Sequence, residues 1–236
     1  MKIEVLYPEI CNLYGDLANA EYLSRSCGAE LCGTSLGETP KFISEDIALV
    51  YMGYTTERGQ LLVRDSLTAY RDALLRRIDD GGVTLVTGNA MEVFGEYIES
   101  DDGSREEMLG FFPIHAKRYL NRTRYNSLYL GKLYDMDIIG FKSQFGHSYG
   151  DNGAGLFTTV RGAGLNPDVM AEGLRRNNFM ATYLMGPLTI MNPDFAKYLL
   201  EMMGVESPVL AFEEEAVDVH NTRLKEFLEP ERGYVY

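Results

Sequence analysis

The run Ile47-Ala48-Leu49-Val50-Tyr51-Met52 constrains the fold more than any other segment. A strand with one wet face alternates apolar and polar residues. This one does not, which predicts a strand buried on both faces, as in a parallel sheet covered by helices. Similar runs lie at 3–7 and 83–87, and a weaker one at 29–33. Between them are helix-length stretches. Residues 16–27 place Ala18, Tyr22 and Leu23 on one face, with Asp16 positioned as the cap. Residues 61–78 space Leu67, Leu74, Leu75 and Ile78 along one face, and Asp79-Asp80-Gly81-Gly82 stops them. Gly88 then opens a short helix through Phe94. The order β-α-β-β-α-β-turn-α predicts an α/β three-layer sandwich, a largely parallel sheet flanked by helices.

Beyond Gly95 the character changes. Asp101-Asp102-Gly103 predicts a hairpin turn between short strands. Residues 125–141 alternate loosely and carry several tyrosines, which suits strands, and 153–164 are glycine-rich. Asn192-Pro193-Asp194 opens a helix bearing Phe195, Tyr198, Leu199 and Met202. An acidic helix is expected at 212–228, its Glu213-Glu214-Glu215 start favourable to the helix dipole. Residues 229–236 read as a loose tail. With no linker in sight, the expectation is one domain, 1–210, followed by a C-terminal acidic helix and tail, 211–236.

Charge narrows the partners. Thirty-five acidic against 22 basic residues give a net charge of −13. Such a surface repels phosphate backbones and anionic lipid, so nucleic acid and membrane are not expected partners. No run approaches the roughly 18 apolar residues that span a bilayer. The start, Met1-Lys2-Ile3-Glu4-Val5-Leu6, enters a strand without a secretory stretch. Cys11, Cys27 and Cys32 form an odd set without a CxxC pair, which points to a reducing, cytoplasmic setting. His115, His147 and His220 lack HxxH spacing, and no Walker A or GxGxxG pattern occurs, so neither a metal nor a nucleotide cofactor is expected.

Several ordered segments resemble the class I glutamine amidotransferases of the cobyric acid synthase-like group, and within it the glutaminase subunit of lipid II isoglutaminyl synthase. Asn12-Leu13-Tyr14-Gly15-Asp16 with Asn19 is similar to that group's opening loop, NLYGD or NLYSD and then GN. Met52-Gly53 and Glu57-Arg58-Gly59-Gln60 are similar to a glycine-rich loop, usually GGG followed by DREQ. Leu85-Val86-Thr87-Gly88-Asn89-Ala90-Met91-Glu92 falls on the nucleophile segment, L-x-I-C-G-G-Y-Q. Gly140-Phe141-Lys142-Ser143-Gln144 falls on GFENH, and Thr182-Tyr183-Leu184-Met185-Gly186-Pro187-Leu188 on TYLHGPL. The matches run from near residue 5 to near 205. They imply a flavodoxin-like fold and, for an intact member, glutamine hydrolysis by a cysteine thiolate with a histidine base, the ammonia passing to an ATP-using, Mur-ligase-like synthetase.

The two residues that carry this chemistry are replaced. Gly88 stands at the cysteine position and has no atom that attacks; Met185 stands at the histidine position, and a thioether is no base. A shifted alignment does not restore them: no cysteine follows Cys32, and residues 182–188 hold no histidine. Losing a nucleophile costs on the order of a millionfold where such residues act as a unit. Glycine relieves the strain of the tight strand-to-helix turn at that position.

The resemblance therefore implies a vestigial pocket lined by Cys11, Gly53, Tyr54, Asn89, Glu92, Gln144 and His147. Cys11 ends the first strand and reads either as pocket wall or as a small buried hydrophobe. Gly53 with the Asn89 N–H would form an anion nook. Glu92 and Gln144 replace a glutamine and a histidine of the resembled pattern. His147 is expected on an exposed loop, with Glu92 or Asp151 as the partners of an alternative acid–base couple. Functionally, the chain is expected to bind rather than catalyse: a partner of a Mur-ligase-like synthetase, or a holder of a small amide or acid. The alternatives are an active cobyric acid synthase-like amidotransferase, or altered chemistry using Cys11, His147 or Glu92.

Overall fold

The computed structural model describes residues 1–122, 124–229 and 233; most of the expected tail at 229–236 lies outside the described residues. The chain enters β1 (Lys2–Leu6), crosses α1 (Ala18–Cys27) to β2 (Glu30–Thr34), and continues to β3 (Leu49–Met52). Helices α2 (Glu57–Thr68) and α3 (Arg71–Asp79) precede β4 (Val83–Thr87). A 3-10 helix, Gly88–Phe94, follows at once.

An excursion of short strands comes next: β5 (Tyr97–Glu99), β6 (Arg105–Glu107), β7 (Ile114–Arg118), β8 (Tyr125–Leu133), β9 (Met136–Gln144), β10 (Gly146–Gly150), β11 (Phe157–Arg161) and β12 (Ala171–Glu172). Then β13 (Leu174–Arg176) and β14 (Phe179–Thr182) return to the first sheet, and α4 (Leu188–Met191), α5 (Pro193–Met202) and α6 (Glu213–Leu228) complete the described elements. The main sheet has the order β13-β14-β4-β3-β1-β2, and only the β13–β14 pair is antiparallel. Two four-stranded sheets, β10-β7-β5-β6 and β12-β11-β8-β9, stand beside it.

The unbroken apolar run behaves as its composition dictates. All four residues of β3 are buried. Leu49 and Tyr51 pack to the side of Leu23, Phe195 and Leu199, and Val50 and Met52 to the side of Val63, Leu67 and Ile78. Parallel register aligns Tyr51 with Leu85 and Thr87 with Thr182, so the carboxyl ends of β3, β4 and β14 come level. Open α/β sheets bind ligands at this edge. The last helix, α6, docks through Phe227 onto Leu130 and Ile139. Among the described residues no helix is long and apolar enough to cross a membrane.

Three local expectations are corrected. The single helix at 61–78 is two, α2 and α3, separated at Ala69 and Tyr70. The buried positions Val63, Leu67, Leu74 and Ile78 keep helical spacing across the break, so periodicity alone does not show it. Second, Glu57-Arg58-Gly59-Gln60 is the first turn of α2 rather than a loop, because the Thr56 hydroxyl caps it by accepting from Gly59 N at 3.0 Å. Third, Asp16 does not cap α1. Asn12 Oδ1 accepts from Leu17 N at 2.9 Å there, and the Asp16 carboxylate turns inward.

Candidate functional site

Gly88 is the first residue after β4, where the chain leaves the sheet edge, and its φ is +66°. Side chains are strained in this left-handed region and glycine is not. The backbone thus retains the strained turn on which a nucleophile would sit. The side chain's space is taken. A Cβ built on Gly88 would lie 2.0 Å from Tyr54 Cδ2 and 2.6 Å from its Cγ.

Tyr54 is held at both ends. Its backbone N–H donates to Asp16 Oδ2 at 2.7 Å, and its hydroxyl donates to the Ser143 carbonyl at 2.6 Å. It is 3% exposed, and burial raises its phenol pKa. The Tyr14 ring stands edge-on to it at 5.3 Å, and Arg124 hydrogen-bonds the Tyr14 hydroxyl and lies 4.3 Å from the Phe145 centroid. Position 88, which the resemblance assigns to the nucleophile, is thus covered by the Tyr54 ring, with the half-exposed Tyr14 and Arg124 beyond it.

Asp16 ties this cluster to the other strands. Its carboxylate accepts from Gly186 N at 2.6 Å, from Tyr54 N and from the Thr87 hydroxyl. Burial raises its pKa, and these donors oppose the rise. A Cβ on Gly53 would lie 2.5 Å from the Cys11 carbonyl, so glycine is required there by close approach. Asn89 is 5% exposed, and its Oδ1 accepts from Thr55 N at 3.1 Å. The side chain is spent on holding the loop that carries Tyr54.

The remaining expected pocket residues separate into different environments. Cys11 is fully buried and its thiol pKa is pushed up to about 12 by burial, which keeps it protonated. It is the small hydrophobe of the two readings. Glu92 is 5% exposed and accepts from Gln60 Nε2 and the Tyr183 hydroxyl, both at 2.8 Å, with Arg118 at 3.8 Å. Burial raises its pKa and Arg118 draws it back. Both carboxylate oxygens are thus engaged in a closed network.

His147 is not on an exposed loop: it is half-buried in β10, paired in register with Lys117. Its Nδ1 lies 3.2 Å from Gln144 Nε2, and its ring meets Tyr125 edge-on at 4.9 Å. Burial, with Lys142 nearby, lowers its pKa to about 4. Gln144 and His147 line a groove of about 610 Å³ with Arg122 and Arg124. The partners of Cys11, Glu92 and His147 do not coincide, so the three are not assembled as one acid–base site.

Met185 takes its place beside β9, its N–H donating to the Phe141 carbonyl at 3.0 Å. It lines a hollow of about 450 Å³ with Leu128, Phe141 and Phe227, under α6. Two features escape a residue-by-residue reading. One is Tyr54 as a plug, although a bulky side chain inside a loop usually written GGG was a signal. The other is the fully buried pair Lys142–Glu172, Nζ to Oε1 3.4 Å, whose lysine also donates to the carbonyls of Ala163 and Gly164 at 2.8 Å.

The architecture is that of the glutamine amidotransferases. It superposes on a crystal structure of a glutamine amidotransferase with a TM-score of 0.57 at 15% identity, covering 87% of this chain and all 100% of that one. It also superposes on PurLQS from Thermotoga maritima with a TM-score of 0.58 at 11% identity, covering 86% and 96%. The chain belongs to the family of CobB/CobQ-like glutamine amidotransferase domains, whose model matches residues 2–192. It is 26% identical over 210 residues to the GatD subunit of lipid II isoglutaminyl synthase (glutamine-hydrolyzing) of Staphylococcus aureus, covering 88% of this chain and 85% of that one. The corresponding subunit of Streptococcus pneumoniae is 25% identical, with 85% and 79% covered.

Proposed function

We propose that this chain is an amidotransferase-family protein that has lost glutaminase chemistry and serves as a binding or regulatory partner. The observation that carries the proposal is the Tyr54 ring in the space a side chain at position 88 would need. A thiolate attack on an amide requires a sulfur and a base in contact with substrate. Here position 88 bears glycine, the position the resemblance assigns to the base bears methionine, and an aromatic ring occupies the space beside position 88.

By likeness to the relatives named above, the partner is a Mur-ligase-like synthetase that amidates a cell-wall precursor in the cytoplasm. Three free thiols suit that compartment. The test is reconstitution. The chain and the Mur-ligase-like synthetase of the same cell are mixed, and complex formation and glutamine hydrolysis are measured together. A stable complex without ammonia release is expected. Ammonia release at an enzymatic rate, or no complex at micromolar concentration, overturns the proposal.

A further inference from the structure

A third concavity lies between α1 and α6. It has a volume of about 580 Å³, and its wall is Ala18, Tyr22, Ile190, Phe212, Ala216 and Val219. None of the residues packed around Gly88 and Tyr54 lines it. Three observations mark it as more than a crevice. Tyr22 is 7% exposed and lines the hollow, and among the described residues its hydroxyl has no hydrogen-bond partner. A buried hydroxyl left unpaired costs about 1–3 kcal/mol. Phe212, at the hollow's edge, has φ +52° and is 64% exposed, its ring under the Arg25 guanidinium at 5.6 Å. A non-glycine residue at positive φ is strained, and such strain gathers where a segment is held for a purpose. Val219 on the same wall is 49% exposed.

The rim decides the occupant. Glu21 and Glu215 border the hollow, and Glu214 and Asp218 are exposed on the same helix. Arg25 on this wall is drawn over Phe212, and Arg223 lies beside Asp218 and Val219, so the four carboxylates outnumber these two cations. A second copy of a chain of net charge −13 would bring like charge against this rim. An anionic small molecule or lipid surface meets the same repulsion. A cationic segment is attracted, and its apolar side chains have a cavity to fill.

We infer that the α1–α6 hollow is a docking site for a basic amphipathic segment of a protein partner. The segment inserts apolar side chains between Phe212 and Val219 and sets its lysines or arginines against Glu21, Glu214, Glu215 and Asp218. The site does not depend on which synthetase, if any, is the partner.

The experiment uses two synthetic helical peptides of about twelve residues, both with leucines at i, i+3, i+4 and i+7, one with lysines and one with glutamates at the remaining positions. Their binding to the full chain is followed by fluorescence anisotropy. The lysine peptide binds and the glutamate peptide does not. Val219→Asp then weakens the lysine peptide by about tenfold or more even though it adds a negative charge, because it spoils the apolar wall. Val160→Asp, which adds the same charge at an exposed position on β11, leaves binding unchanged. Val219→Ser serves if Val219→Asp melts below the wild type, and it weakens the peptide likewise. Binding that is unaltered or tighter in the folded Val219 variant, equal loss in both aspartate variants, equal binding of both peptides, or no binding of the lysine peptide overturns the inference.

Discussion

The Tyr54 ring and the missing side chain of Gly88 occupy one volume: 2.0 Å separates Tyr54 Cδ2 from the Cβ that any other residue would bring to position 88. Each explains the other. Glycine at a φ of +66° keeps the sharp turn without strain, and the ring closes the space glycine leaves.

The two positions are therefore energetically coupled. Tyr54→Ala removes a buried aromatic and should destabilise by roughly 3 kcal/mol or more. Gly88→Ala should cost at least about 1 kcal/mol from its backbone, plus the clash. In the double variant the clash is gone, so the summed single effects should exceed the double by about 1 kcal/mol or more. Urea melts of the four proteins measure this. Strict additivity would show that the ring and position 88 do not share space.

His147 should make stability pH-dependent on the acid side. Its folded pKa is lowered from 6.5 to about 4, chiefly by burial. The unfolded chain binds more protons between these values, so stability rises with pH through that window and is fully present above 6.5. Falling pH removes it. His147→Gln should flatten the difference in melting temperature between pH 4.5 and pH 7, values taken about the ordinary histidine range. An unchanged slope would mean that other groups set it.

Lys142 and Glu172 are 1% and 0% exposed and face each other without solvent. Removing one partner strands the other. Lys142→Met alone and Glu172→Gln alone should each cost roughly 3–5 kcal/mol, and the double variant less than the sum of the two. Thermal denaturation of the three variants checks this. The sequence distance of these residues hides the pair, and only the return of the chain from β11 to β12 brings them together.

Thiol labelling should follow burial. Cys11 is fully buried with its pKa near 12, whereas Cys27 and Cys32 are partly exposed. At neutral pH iodoacetamide should modify Cys32 and Cys27 in the native protein and reach Cys11 only on unfolding. Mass spectrometry of the digested protein resolves the order. Rapid native labelling of Cys11 would return it to the list of reactive groups.

Much of this was readable from residues because local chemistry decided it. Apolar runs long enough for one strand became four of the six strands of the main sheet, whereas β13 and β14 were not foreseen, and Gly88 took the positive φ that its place after β4 requires. What stayed hidden depends on distant contacts. Asp16 has the composition of a cap, yet three donors from Tyr54, Thr87 and Gly186 outbid the helix N-terminus. The break at Ala69 and Tyr70 carries no proline or glycine. Tyr54 could be seen to be too large for a glycine loop, but not where its ring would go.

Ammonia release from glutamine by the purified wild-type chain tests the central claim most directly, because it asks whether a packed elbow without sulfur or imidazole hydrolyses an amide. Release indistinguishable from buffer, across the full range of glutamine concentration, is the expected result. A saturable rate that persists in Cys11→Ser and falls in Tyr54→Phe would contradict it, since it would place working chemistry where the ring is packed.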